Sequence, residues 1–250
     1  MRLEPLVDEE RYPLASLSFR KRCRSRLELD GMLVMPNFIT SNAILLLQRE
    51  GESRRHLAYY AINNHNVYLA PVDPDFPLHH VRNREVHSSK GCITTDQIPH
   101  DSSLHQLYTS PDFRSFLCAI LGEDSLYEYA DPLSSINLHY ASEGQELGWH
   151  YDNSSFAITL MIQSPEGGGV FEYVKNVRDA RRDEMNYERS QRVVDGIEPA
   201  QALSMQPGTL VVFRGRNSMH RVTPVRGNST RMLVVFAYNT EPDISLSETA

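Results

Sequence analysis

Apolar residues recur at helical spacing in three segments of the first half of the chain. We predict helices there, over residues 15–29, 40–51 and 110–122. The second helix is capped by Thr40 and Ser41 and is expected to end near Gly51, because glycine favours helix C-termini. Pro111 suits the first turn of the third helix, which should end at Gly122. We expect these helices to pack as supports against a sheet.

Strand-like runs occupy much of the remaining chain. In the first half they include a short run at 31–36 and an alternating run at 59–71, in which Asn63-Asn64 predicts a hairpin turn. Further on, short β-type runs alternate with turn signals, over residues 134–163, 170–174, 202–205, 209–213, 219–223 and 230–238. Many short strands with regular turns are typical of an antiparallel sandwich or barrel.

These elements indicate a single domain that is mostly β with flanking helices. Residues 1–130 would supply helical and loop support, and residues 134–240 would form the β core. A charged segment at 175–200 interrupts that core. It predicts either an insertion that covers the mouth of a pocket or a solvated excursion between two strands.

Composition and charge exclude several classes of protein. The chain has 250 residues, a formal net charge of −7 and three widely spaced cysteines. An acidic total argues against a nucleic-acid partner, and the cysteine pattern indicates reduced thiols. The N-terminus lacks the apolar stretch of a secretory signal, and no apolar run reaches the ~20 residues that span a bilayer. We therefore expect a cytoplasmic protein without a membrane partner. The basic helix around Arg22 leaves a homodimer open.

The strongest chemical pattern is the tripeptide His150-Tyr151-Asp152 near the start of the predicted core. In a strand, side chains two residues apart leave on the same face, so the imidazole and the carboxylate could bind one metal ion. His220 follows Asp152 by 68 residues and is the best candidate for a third ligand. Two histidines and one carboxylate with open positions form the facial triad of non-haem Fe(II) oxygenases.

The motifs around this triad resemble those of a known superfamily. Tyr140-x-x-x-Gly144-Gln145 precedes the H-x-D pair, and a G-G-x-F-x-Y run lies at 168–173. Over residues 135–240 the chain is similar to the prolyl-hydroxylase-like branch of the Fe(II)/2-oxoglutarate-dependent oxygenases. That resemblance implies a double-stranded β-helix core, which is the jelly-roll or cupin-like fold. It also implies that the triad holds Fe(II) and leaves positions for 2-oxoglutarate and O₂.

The same resemblance suggests how the co-substrate would be bound. Arg231, which follows His220 by eleven residues, would pair with the distal carboxylate of 2-oxoglutarate through its planar fork. Arg226 is the rival for that role. Tyr140 would either contact 2-oxoglutarate or be a core aromatic. Weaker candidates for the same pocket are Asn137 and Thr209.

A finer resemblance concerns the substrate. The runs H-Y-D-N-S-S-F-A-I-T-L-M-I-Q and F-R-G-R-N-S-M-H-R-V-T-P are similar to those of the free-amino-acid radical halogenases and their hydroxylase relatives. In the halogenases, glycine or alanine replaces the carboxylate ligand and leaves room for chloride. Because this chain keeps Asp152, the resemblance implies a hydroxylase acting on a small, polar free amino acid, with basic amino acids among the candidates. The predicted substrate-binding residues are Arg82, Glu128, Trp149 and Asn153, with a core role as the alternative for Trp149.

Three other functions remain open from the sequence. The first is another metal-dependent cupin-like enzyme or zinc hydrolase, since zinc sites with three protein ligands also keep an open position. The second is a binding module that has lost turnover. The third is hydroxylation of a protein residue or peptide rather than a free amino acid.

Overall fold

A computed structural model of the chain describes residues 6–245. The helices are α1 (Leu17–Asp30), α2 (Ser41–Arg54), α3 (Ser103–Thr109), α4 (Pro111–Leu121) and α5 (Tyr187–Val194). The strands are β1 (Met32–Met35), β2 (Tyr59–Asn66), β3 (Glu85–Ile93), β4 (Ile136–Ala141), β5 (Leu147–His150), β6 (Ala157–Gln163), β7 (Gly167–Gly168), β8 (Phe171–Val174), β9 (Gln201–Leu203), β10 (Leu210–Phe213), β11 (Met219–Val222), β12 (Val225–Arg226) and β13 (Arg231–Phe236).

Eleven of these strands form one antiparallel sheet. Its order is β1-β10-β6-β13-β4-β3-β5-β11-β8-β9, with β2 beside β3, while β7 and β12 form a separate small pair. Strand β3 joins the two halves of the sheet, because it pairs with β4 at Gly91 to Ile93 and with β5 at Ser88. The sheet therefore curls on itself. It has the jelly-roll fold expected from the sequence, mostly β with flanking helices.

Helices α1 to α4 pack on one face of this sheet and form the main core. Leu27, Phe113 and Phe116 are fully buried there against strand residues such as Leu138 and Ile158. Side chains alternate between the two faces along a strand. The residues of each strand that do not face the helices therefore face the opposite, concave side of the sheet. In β4 the buried and partly buried positions alternate without exception. The candidate site lies on the concave face.

Two of the predicted helices are confirmed in extent, and one is longer than predicted. α1 and α4 end at Gly31 and Gly122, both in the left-handed conformation. α2 begins after Thr40 as expected but continues past Gly51 to Arg54, so the predicted end is wrong. Gly51 lies where a Cβ would come within 2.9 Å of the sulfur of Met232. This glycine allows the helix to approach β13 closely and does not end it.

The predicted hairpin at residues 59–71 is wrong. Strand β2 runs without a turn through Asn63 and Asn64, and it pairs along its whole length with β3, from Tyr59–Cys92 to Asn66–Glu85. Both asparagines are exposed at the edge of the sheet, where polar side chains cost little. The long-range partner strand β3 decided the conformation here.

The insertion at 175–200 packs against β5 and the residues that follow it, the segment that carries the first two candidate metal ligands. It contains α5, and its Val177 and Val193 are buried with Tyr68, Trp149 and Tyr151 in a second apolar cluster. The segment is therefore part of the folded domain and not a solvated excursion. None of the helices in the described part of the chain is long and apolar enough to cross a membrane.

Candidate metal site and co-substrate pocket

The three predicted metal ligands converge at one end of the concave face. His150 ends β5 and lies directly opposite His220 in the adjacent antiparallel strand β11. Asp152 follows β5, where its backbone N–H donates to the carbonyl oxygen of Gly215. Its Oδ1 lies 3.4 Å from Nε2 of His220 and 3.9 Å from Nε2 of His150. All three ligand atoms lie within 4.8 Å of one another, which forms a candidate metal site.

Backbone carbonyl groups orient both imidazoles toward this point. Nδ1 of His150 lies 2.8 Å from the carbonyl oxygen of Gly148, and Nδ1 of His220 lies 3.0 Å from that of Ser218. A carbonyl oxygen only accepts, so each Nδ1 carries the proton and each Nε2 keeps a free lone pair. Outer hydrogen bonds of this kind fix the tautomer and orientation of metal-binding histidines.

The charge states also suit a divalent cation. Burial, together with the neighbouring His220, lowers the pKa of His150 to about 3, so this imidazole is neutral at physiological pH. Burial opposes ionisation of Asp152, but the adjacent histidines, His220 above all, hold the pKa of this carboxyl below its usual range. Burial lowers the pKa of His220, but the adjacent Asp152 carboxylate outweighs this and raises it above the usual value. A divalent cation bound between the two side chains would displace that proton and leave the neutral imidazole that ligates a metal.

An unpartnered oxygen at the centre of the site indicates that a cation belongs there. Oδ2 of Asp152 is buried and accepts no hydrogen bond from any residue in the range 6–245. Gly215 lies against this oxygen, since a Cβ added at Gly215 would come within 1.7 Å of it. An ionised oxygen buried without a donor is costly, and a bound metal ion removes that cost. The residues present therefore fit an iron ion.

Arg231 is a buried cation on the same concave face, and no carboxylate of the described residues forms an ion pair with it. It begins β13 and is 5 % exposed, and its Nε and Nη2 have no hydrogen-bond partner within residues 6–245. Burial lowers the pKa of this guanidinium to about 10, so it stays charged at neutral pH. Arg226, the rival candidate, is exposed in β12 beside Gly167. The arrangement favours Arg231 as the anchor for an anion.

Two further basic residues, which sequence reasoning missed, line this pocket. Lys90 on β3 and His139 on β4 place Nζ and Nε2 3.5 Å apart. Burial lowers the pKa of both side chains, and the charges of Lys90 and Arg231 lower the pKa of His139 further, so His139 is neutral. His139 lies two residues after Asn137, and this spacing in a strand predicts that both side chains share a face. Lys90 lies beside His139 only because β3 pairs with β4.

The other predicted co-substrate residues occupy different places. Tyr140 belongs to the main core on the helix-covered face, and its hydroxyl donates to the carbonyl oxygen of Gly51 at 2.7 Å. Tyr140 follows His139 in β4, so the two side chains lie on opposite faces of the sheet. Tyr140 therefore faces away from the site and has the role of a core aromatic. Asn137 shares the concave face with His139 and bonds the carbonyl oxygen of Ser134. Thr209 is buried just before β10.

The predicted substrate-binding residues are not gathered into one cluster. Arg82 bonds the carbonyl oxygen of Pro71 and pairs with Asp73 within its own loop. Glu128 pairs with Arg114 of helix α4. The carbonyl oxygen of Asn153 accepts from Arg216, next to the metal site.

Trp149 lies on the other face of β5 from His150. Its indole is buried in the second apolar cluster, and the guanidinium carbon of Arg221 lies 4.8 Å from the ring centroid. Arg221 in turn bonds the carboxylate of Glu172. Trp149 therefore packs behind the strand that carries His150. Of the two roles considered for Trp149, substrate binding and core packing, this is the core role.

The curled sheet is the fold of a solved 2OG-Fe(II) oxygenase family oxidoreductase. Two structures with this fold were solved with a metal and the co-substrate, SnoN with Fe3+ and alpha ketoglutarate and HygX with nickel and 2-oxoglutarate. The three converging ligands of this chain offer a candidate site for the Fe(II) expected from the sequence. Residues 61–250 match the family model HalD, described as Halogenase D. The chain belongs to the HalD family. None of the curated proteins matches the sequence significantly.

Several solved structures share the fold at low sequence identity. A 2OG-Fe(II) oxygenase family oxidoreductase from Burkholderia pseudomallei is 13% identical with a TM-score of 0.56, over 90% of this chain and 93% of that one. A Pseudomonas putida prolyl-4-hydroxylase is 14% identical with a TM-score of 0.52, over 87% and 98%. HygX from Streptomyces hygroscopicus, solved with nickel, 2-oxoglutarate and hygromycin B, is 14% identical with a TM-score of 0.54, over 88% and 86%.

Proposed function

We propose that this oxygenase hydroxylates an unactivated C–H bond of a free polar amino acid, with release of succinate and CO₂. The observation that carries the proposal is the convergence of His150, Asp152 and His220 around a buried carboxylate oxygen that no group of residues 6–245 satisfies. When bound, Fe(II) and 2-oxoglutarate supply an oxidant for such a bond, with one oxygen atom of O₂ going to succinate and the other to the product.

The pocket offers a cation for each carboxylate of 2-oxoglutarate. Arg231, with its two unpartnered nitrogens, suits the distal carboxylate, because a guanidinium donates two parallel bonds. Lys90 suits the carboxylate nearer the metal, since the charge of Asp152 acts on its ammonium. His139 lies beside Lys90 and is a neutral polar contact between the two cations. A dicarboxylate would compensate both buried positive charges.

Aromatic side chains shield the metal site from water. The ring centroids of Phe213 and Phe171 lie 4.9 Å and 5.5 Å from that of His220. His150 and His220 are only 7 % and 5 % exposed. Excluding water strengthens the electrostatic contacts within the site and protects reactive species from side reactions.

Asp152 favours hydroxylation over halogenation, although the family model carries the name of a halogenase. Its carboxylate occupies the third ligand position, between the two imidazoles and the backbone of Gly215. The sequence resemblance implies that halogenation needs this position vacant for a halide ion. With the carboxylate in place, transfer of a hydroxyl group is the supported outcome.

Succinate release and product mass test this proposal together. The Fe(II)-loaded protein is incubated with 2-oxoglutarate, O₂ and each free amino acid in turn, in the presence of chloride. We expect one polar amino acid to stimulate succinate formation and to gain one oxygen atom. A chlorinated product would overturn hydroxylation. Stimulation by peptides alone would support a protein-residue hydroxylase, and no succinate with any substrate would favour a different metal-dependent enzyme.

Replacing Arg231 with methionine is expected to raise the KM for 2-oxoglutarate by roughly 100-fold, because two charge-assisted hydrogen bonds to the distal carboxylate are lost. Steady-state kinetics at saturating amino acid measure this change. Arg226→Met is the control, since Arg226 is exposed, and its KM should not change. An unchanged KM in the Arg231 variant would contradict the assignment. Without metal, the Arg231→Met protein should unfold at no lower temperature than the wild type, because the substitution removes an unpaired buried charge.

A further inference from the structure

A chain of hydrogen bonds runs from the ligand His150 to two residues outside the predicted site. Nδ1 of His150 donates to the carbonyl oxygen of Gly148 at 2.8 Å. The backbone N–H of Gly148 donates to Oγ of Ser88 on β3 at 2.9 Å. Oγ of Ser88 lies 2.7 Å from Nε2 of His65 on β2. The chain therefore connects one metal ligand to two strands that carry none.

The hydrogen atoms of this chain have defined positions. Nδ1 of His65 lies 3.0 Å from the carbonyl oxygen of Asn66. A carbonyl oxygen only accepts, so Nδ1 carries the proton and Nε2 accepts from the hydroxyl group of Ser88. The oxygen of that hydroxyl group accepts in turn from the N–H of Gly148. Both ring nitrogens of His65 are thus bonded to protein groups, which argues against a substrate-binding role for this imidazole.

The end of β2 contacts the ligand-bearing segment at a second point. The carbonyl oxygen of Val67 accepts from the backbone N–H of Tyr151 at 2.9 Å, and Tyr151 is the residue between the ligands His150 and Asp152. The imidazole of His65 also lies edge-on to that of His150, with 6.2 Å between the ring centroids. Residues 65–67 therefore follow the segment that supplies the first two ligands.

The strand ladder alone gives Gly148 little support. The pairing of β3 with β5 is short, with Ser88 opposite Leu147, and the pairing of β5 with β11 contains a register shift. Gly148 is also packed closely against β3, since an added Cβ would come within 2.5 Å of the carbonyl oxygen of His87. In this close and irregular contact, the side chain of Ser88 supplies the acceptor for a buried N–H.

We propose that Ser88 and His65 are positioning residues for the metal. They hold Gly148 in place, and the carbonyl oxygen of Gly148 sets the orientation of the His150 imidazole. Groups that orient metal ligands in this way change metal affinity substantially when they are altered. This inference rests on the metal site that the proposed function uses, and it is independent of the group that is transferred to the substrate.

The test measures Co(II) affinity by competition with a chelator, together with the visible absorption spectrum of bound Co(II), which reports the geometry of the ligands. We expect Ser88→Ala to weaken Co(II) binding roughly 10- to 100-fold and to change the spectrum. Ser88→Thr keeps the hydroxyl group and should restore both.

His65→Phe keeps a ring beside His150 but removes the acceptor for the Ser88 hydroxyl group. Because Ser88 still accepts from Gly148, we expect a smaller loss of Co(II) affinity, roughly 3- to 10-fold. In the Ser88→Ala background the chain is already broken, so His65→Phe should have no further effect. His65 is only partly buried, and its variant covers the case in which Ser88→Ala folds poorly.

Ser89→Ala is the matched control. Ser89 is the next residue of β3 and is similarly buried, but its hydroxyl oxygen accepts from the N–H of Glu146 at 3.4 Å. Its loss should leave Co(II) affinity and the spectrum unchanged. If Ser88→Ala keeps the wild-type affinity, or loses no more than Ser89→Ala does, this inference is overturned and the proposed function stands. If the wild type binds no Co(II), both fall together.

Discussion

Replacing Asp152 with alanine is expected to abolish succinate formation, with a loss of roughly 10³-fold or more in kcat/KM, because a bound metal supplies several kcal/mol of catalysis. Asp152 supplies the only carboxylate among the three converging ligand groups of the described chain. The assay is run without chloride, so that no halide takes the vacated position, and two imidazoles alone then bind Fe(II) weakly and leave its charge uncompensated. Succinate measured with the accepted amino acid, together with Fe(II) titration, gives the result.

A surface variant and a folding measurement control this experiment. Asp124 is exposed, so Asp124→Ala should retain full activity. Without metal, Asp152→Ala should be at least as stable as the wild type, because it removes a buried oxygen that has no hydrogen-bond donor. Unchanged succinate formation by Asp152→Ala would refute the triad.

Replacing Gly215 with alanine is expected to disrupt the metal site without changing any ligand. The added methyl group would come within 1.7 Å of Oδ2 and 2.5 Å of Cγ of Asp152, so the carboxylate must move. We expect Fe(II) affinity to fall roughly 10- to 100-fold, the range found when groups that orient metal ligands are altered. Overpacking should also lower the unfolding free energy by about 1–3 kcal/mol.

Two comparisons separate this clash from a general effect of alanine. Gly167 has ordinary space for a methyl group, with the nearest atom 3.6 Å away, so Gly167→Ala should leave Fe(II) affinity unchanged. In an Asp152→Ala background the clashing atoms are gone, so Gly215→Ala should then cost little stability. This non-additivity measures the contact directly. Equal destabilisation in both backgrounds would show that Gly215 acts in some other way.

Membership of the HalD family leaves the transferred group to be decided by the ligand set of this chain. The family model is described as a halogenase, yet this chain carries a carboxylate where the resemblance implies a vacant position in halogenases. Gly215 is packed against that carboxylate and leaves it no room to withdraw. The two substitutions above therefore examine the feature on which the proposed hydroxylation depends.

The sequence by itself determined the features that depend on short-range periodicity. Helices α1 and α4 followed from apolar spacing, and the end of α4 also from Gly122, while the β core followed from short runs between turns. The pair His150 and Asp152 was recognisable because two residues in extended chain share a face. His220 was the best candidate for the third ligand before any resemblance was considered, and Arg231 was assigned its role through a resemblance over residues 135–240.

Only the tertiary structure decided which residues from distant segments meet. Lys90 reaches His139 because β3 pairs with β4, and Tyr140 faces the helices because that register fixes the faces of β4. Gly51 and Gly215 allow close contact with Met232 and Asp152, which are distant from them in the chain. Arg178 lies over the ring of Tyr151 because the insertion folds back onto the segment that carries His150 and Asp152. Strand order, register and loop packing set these contacts, and no local pattern of apolar and polar positions encodes them.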